Sequence, residues 1–81
     1  MTPNQLHKRI LRELVKKPID FTFDFKNSLN DFGVYADILM EAFEYLEEQG
    51  LLNIVWNNDK TAFIHLNHRF YVTTEKLGSR L

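Results

Sequence analysis

Apolar residues recur every three to four positions near the start of the chain. Leu6, Ile10 and Leu14 are spaced by four, with Leu11 and Val15 beside them, which predicts a helix with one buried stripe. Thr2 is placed as an N-cap, Pro3 suits the first helical position and Gln5 completes a capping box. Met1 and Leu6 stand where a hydrophobic staple would put them. Pro18 ends the run, because the residue before a proline avoids the α region, so the predicted helix covers residues 3–16. A second stripe, Leu39, Ala42, Phe43 and Leu46, predicts a helix over residues 35–49, with Gly50 as its C-terminal cap. The stretch between them carries two patterns. Residues 19–25 alternate strictly, as a strand does, whereas Phe25, Leu29 and Phe32 fall at i, i+4 and i+7. The reading that reconciles them is a short extended piece at 19–22, then a helix over about 24–31 capped by Thr22 or Asp24. Gly33 supplies the turn that follows.

Residues 51–67 read as a hairpin, with Ile54-Val55-Trp56 and Ala62-Phe63-Ile64 on either side of Asn57-Asn58-Asp59-Lys60. A three-residue loop from Asn58 to Lys60 pairs Leu52 with Leu66, Ile54 with Ile64 and Trp56 with Ala62, which makes one face wholly apolar. A two-residue loop would mix Thr61 and His65 into that face, so burial selects the longer loop. Val55 and Phe63 then face outward, where the chain end is placed to cover them. Residues 73–81 predict a short terminal helical turn capped by a threonine.

Composition narrows the class. The chain has 81 residues, of which 44% are hydrophobic, with seven Phe, three Tyr and one Trp. That is one domain, residues 1–81, with enough apolar surface to fold. There is no cysteine, which excludes disulfides and thiolate metal sites. No apolar run approaches the ~20 residues of a membrane span. The chain start has no signal-peptide pattern, so the expected location is the cytoplasm, with no membrane partner. Net charge is −1, but its distribution is uneven: +4 over residues 1–17, −7 over 18–50 and +2 over 51–81.

Several passages resemble a known family. Gly33-Val34 resembles the turn between the helices of a helix-turn-helix motif, and Leu39, Ala42, Phe43 and Leu46 match the core positions of its second helix. Leu46-Glu47-Glu48-Gln49-Gly50-Leu51-Leu52 is similar to the passage leading into the wing of MarR- and PadR-like regulators. Val72-Thr73-Thr74-Glu75-Lys76-Leu77-Gly78 resembles the start of the helix after that wing. The resemblance implies an α+β winged helix-turn-helix: a three-helix core, a C-terminal β-hairpin wing and a short terminal helical turn, as in small bacterial or phage regulators. It also implies DNA binding, with the motif's second helix in the major groove.

The residues of that helix oppose groove insertion. Asp37, Glu41, Glu44 and Glu48 share one line of it, opposite Leu39, Phe43 and Leu46, and no Lys or Arg occurs between Lys26 and Lys60. Phosphate contact needs positive charge. The bland reading of the stripe is a solvated helix face. Apolar neighbours, with Ile38 and Tyr45 on one flank and Met40 on the other, point instead to a protein-docking face. The expected function is therefore a regulatory module acting through protein contacts, as a homodimer or an adaptor. Its expected binding residues are Asp37, Ile38, Met40, Glu41, Glu44, Tyr45 and Glu48. The alternative is a transcription regulator that touches phosphates through Lys8, Arg9, Arg12, Lys60 and Arg69. His65 and His68 have an H-x-x-H spacing, but on a strand such positions point to opposite faces. No nucleophile–base pair or glycine-rich phosphate loop is present. The reading is a protein without metal, cofactor or enzymatic activity.

Overall fold

The computed structural model describes residues 3–26 and 32–78. Within them the order is α1 (Pro3–Leu14), β1 (Asp20–Asp24), α2 (Ala36–Glu48), β2 (Leu52–Trp56), β3 (Thr61–Leu66) and α3 (His68–Gly78). The strands form one antiparallel sheet in the order β1-β3-β2. Pairing of β2 with β3 places Leu52 opposite Leu66, Ile54 opposite Ile64 and Trp56 opposite Ala62, the register predicted from the apolar face. The Asn57 N–H donates to the Thr61 carbonyl at 3.0 Å, which leaves Asn58 to Lys60 as the loop. The Asn58 side chain holds that loop by accepting from the Lys60 and Thr61 N–H groups at 2.8 and 2.9 Å.

Strand β1 pairs with β3 along its whole length, Phe21 opposite Ile64 and Phe23 opposite Ala62. The ladder continues through Phe25, whose N–H donates to the Lys60 carbonyl at 2.8 Å. Alternate residues of a strand share a face, so Phe21, Phe23 and Phe25 all enter the core beside Leu52, Ala62, Ile64 and Leu66. The helices close over this face with Leu6, Ile10, Leu11 and Leu14 from α1, Leu39, Ala42, Phe43 and Leu46 from α2, and Phe70 from α3. Phe23, Phe25 and Phe43 form an aromatic centre, with ring centroids 4.8–4.9 Å apart. Each such pair contributes roughly 0.5–1.5 kcal/mol beyond its buried area.

This architecture overturns the winged helix-turn-helix expectation. The hairpin is not a wing attached after a helical core. Its strand β3 is the centre of a three-stranded sheet, and that sheet carries one wall of the core. The extended piece expected at 19–22 is the strand Asp20–Asp24, so no helix begins at Asp24. The remainder of the helix expected to reach residue 31 falls largely on 27–31, outside the described residues, as do Met1 and Thr2. The chain continues past the hairpin in an eleven-residue helix, His68–Gly78, rather than a short turn from Thr73. Helix α1 ends two residues earlier than predicted, at Leu14. The fold is a small α+β arrangement with the order α-β-α-β-β-α among the described residues. None of these helices is long and apolar enough to cross a membrane.

Candidate interaction surface

Helix α2 is held at both ends by backbone geometry. Tyr35 takes the N-cap position in an extended conformation, without a side-chain cap. At the C-terminus the Gly50 N–H donates to the Glu47 carbonyl and the Leu51 N–H to the Leu46 carbonyl, at 2.9 and 3.1 Å. That is a Schellman closure, and it requires the left-handed φ of +77° that Gly50 adopts. Leu39, Ala42, Phe43 and Leu46 bury the inner side. At about 100° per residue, this turns Asp37, Glu41, Glu44 and Glu48 outward, and all four are exposed.

The stripe weakens the helix that carries it. Asp37 with Glu41, Glu41 with Glu44, and Glu44 with Glu48 are like-charge neighbours, which together cost about 1 kcal/mol. The last turn has no basic residue, so Glu48 opposes the helix dipole, while Asp37 in the first turn complements it and offsets that term. None of the four carboxylates forms an ion pair among the described residues. The crest therefore presents four uncompensated negative charges.

Each flank of the crest is partly apolar. On the α1 side, Ile38 is 42% exposed and Tyr45 46% exposed. The Tyr45 ring stacks on His7 of α1, with centroids 4.6 Å apart and planes within 3°. Burial there holds the His7 imidazole below its ordinary pKa of 6.5. On the hairpin side, half-buried Met40 borders a dent of about 420 Å3 together with Trp56, Asn57, Asn58 and Asp59. All seven residues expected in the docking face thus lie on one helix surface. Glu47, the fifth acid of α2, is different. Its Oε2 accepts the Ile54 N–H of β2 at 2.7 Å, so this carboxylate ties the helix to the sheet.

The cations of the alternative reading are dispersed. Lys8 and Arg12 are exposed on α1, and Arg69 is exposed on α3, its stem passing over Gly50. Lys60 sits in the hairpin loop, on the other flank of the acidic crest. Arg9 is half-buried and donates to the Phe32 carbonyl at 3.2 Å. Lys8 and Arg69 share a groove between the helices, but the crest stands between them and Lys60.

Three features of the surface are not legible in the sequence pattern. The apolar alternation puts Trp56 on the buried face, yet it remains 41% exposed because the inner face runs out at this last rung before the loop. Glu47 looks like any other acid of the helix until the strand is placed beside it. His65 pairs with Asp20 across the sheet at 2.5 Å and is not grouped with His68, and no cluster of metal-binding side chains occurs among the described residues. Val55 and Phe63 stand opposite each other on the outer face and stay exposed, with no described segment covering them. Comparison with protein-family models and with curated protein sequences finds no match to this chain.

Proposed function

We propose that this protein is a contact module whose α2 face docks a positively charged protein surface. The observation that carries the reading is the crest of Asp37, Glu41, Glu44 and Glu48. It is exposed, uncompensated and costly to the helix that bears it. The flanking Ile38, Tyr45 and Met40 supply apolar contact, and the acids set partner choice and speed of encounter. The partner is either another protein, in an adaptor role, or a second copy presenting the exposed Lys8 and Arg12 of its α1. A surface bearing both signs is self-complementary under a two-fold axis.

The test compares the wild type with Glu41→Lys/Glu44→Lys. Size exclusion with light scattering at low and high salt measures self-association. The same two proteins, immobilised, measure capture of basic partners. The double reversal is expected to abolish whichever association the wild type shows. A titration into random-sequence duplex DNA is the opposing arm. Micromolar binding that falls steeply with salt, and strengthens in the double reversal, would overturn the proposal in favour of phosphate contact through Lys8, Arg9, Arg12, Lys60 and Arg69.

A further inference from the structure

The dent between α2 and the hairpin loop has a chemistry more specific than the crest beside it. Trp56 packs one side against Phe25, with centroids 5.1 Å apart, and leaves two-fifths of its surface open. Met40 forms the facing wall. On the helix surface, residues three and four apart are neighbours, so Met40 is bracketed by Asp37 and Glu44. Asp59 lines the dent from the loop. None of these three carboxylates forms an ion pair among the described residues, and Lys60, the cation next in sequence to Asp59, does not line the dent. The dent, of about 420 Å3, is shallow and open to solvent, so it suits the end of one side chain rather than an enclosed ligand.

We infer that this dent receives an arginine side chain of the partner, laid on the open part of the Trp56 indole with its guanidinium beside Asp59 and facing the acidic crest of α2. The inference rests on the reading of α2 as a docking face and names the feature of the partner that the face selects. An indole attracts a cation through its quadrupole. A planar guanidinium stacks on it while its in-plane N–H groups reach carboxylates at the edge, which the compact, strongly hydrated lysine ammonium does less well. Met40 gives the aliphatic stem an apolar wall. The partner segment is therefore basic and contains arginine at the position that meets the dent.

Trp56 is the sole tryptophan of the chain, so its emission reports the site directly. The experiment titrates fluorescein-labelled octa-arginine and octa-lysine into the full chain at low salt. Anisotropy gives the affinity, and Trp56 emission with unlabelled peptide gives the contact. Octa-arginine is expected to change Trp56 emission saturably, with the dissociation constant found by anisotropy, and to bind about threefold or more tighter than octa-lysine. Asp59→Asn, which keeps the reporter, and Trp56→Phe, read by anisotropy, are each expected to weaken octa-arginine about two- to tenfold, while the circular dichroism of both stays native. Binding that Glu41→Lys/Glu44→Lys abolishes, but that leaves Trp56 emission unchanged and ignores Asp59→Asn and Trp56→Phe, would overturn the arginine site and leave the docking face standing. Absence of octa-arginine binding would also overturn it, while the partner-capture comparison judges the docking face separately. Self-association that the peptide does not displace, and that quenches or shifts Trp56 on its own, would assign the dent to a second copy and overturn the inference.

Discussion

Replacing Glu47 with alanine separates a structural acid from the acids of the crest, and the two classes are expected to differ in sign. Glu47 Oε2 lies 2.7 Å from the Ile54 nitrogen, a short contact to an edge strand of the sheet. A hydrogen bond to a charged group contributes about 1.5–3 kcal/mol. Glu47 is half-buried, and water can reach the strand edge once the carboxylate is gone, so a value around the low end of that range applies: about 1–2 kcal/mol. A domain of this length has roughly 4–12 kcal/mol of stability, so Glu47→Ala still folds, with Tm lowered by about 4–15 °C. Glu44→Ala relieves its like-charge contacts with Glu41 and Glu48 on the crest and with Glu47 beside them, and breaks no hydrogen bond, so it is expected to raise stability by about 0.5 kcal/mol. Thermal and urea melts followed by circular dichroism measure both changes, and amide exchange at Ile54 reports the bond itself. A Glu47→Ala melt at or above that of Glu44→Ala, with Ile54 exchange unchanged, would refute the assignment of Glu47 to the sheet.

Three further outcomes follow from the core, the helix end and the stacked histidine. Phe43 is fully buried among Phe23 and Phe25, so Phe43→Ala is expected to cost about 3–5 kcal/mol and to leave much of the protein unfolded at 37 °C; a urea midpoint close to wild type would contradict the aromatic core. Gly50→Ala is expected to cost about 1–2 kcal/mol through its left-handed φ alone, because a Cβ there meets Arg69 only at an ordinary 3.7 Å. Gly50→Asn should cost less in the same melts, since asparagine tolerates that conformation. His7 titrates below its ordinary 6.5 because burial disfavours its cation. The unfolded chain therefore binds more protons between 6.5 and the lowered native value. The stability from His7 is fully present above about pH 6.5 and is lost as pH falls through that window. An NMR titration should place the His7 midpoint below 6.5, and His7→Phe should show a smaller loss of urea midpoint than wild type on going from neutral to mildly acid pH.

Strict periodicity made much of this protein legible before any coordinates. The stripes of α1 and α2 each fit one period over about two turns, and the β2–β3 register follows from the single alignment that keeps one face apolar. The four crest acids were placed correctly for the same reason: once Leu39, Phe43 and Leu46 are buried, the opposite line has only one direction left. The segment at 19–25 was ambiguous because Phe25 belongs to two patterns at once, alternating with Phe21 and Phe23 and helical with Leu29 and Phe32. Local spacing cannot weigh them. Pairing with a strand some forty residues further on decides for the alternation. The start of helix α3 at His68 is hidden in the sequence for a related reason. Phe70, Tyr71 and Val72 are contiguous and show no helical spacing, while only Phe70 enters the core.

Amino-acid order alone determined the helix faces, the hairpin register and the sign of charge along α2, because each depends on neighbours within a turn or a rung. Tertiary packing decided that the hairpin belongs to a three-stranded sheet, that Glu47 serves the sheet while Glu44 faces solvent, and that Trp56 opens beside Met40. These outcomes depend on which distant segment occupies a given side of a residue, and only the closed fold sets that.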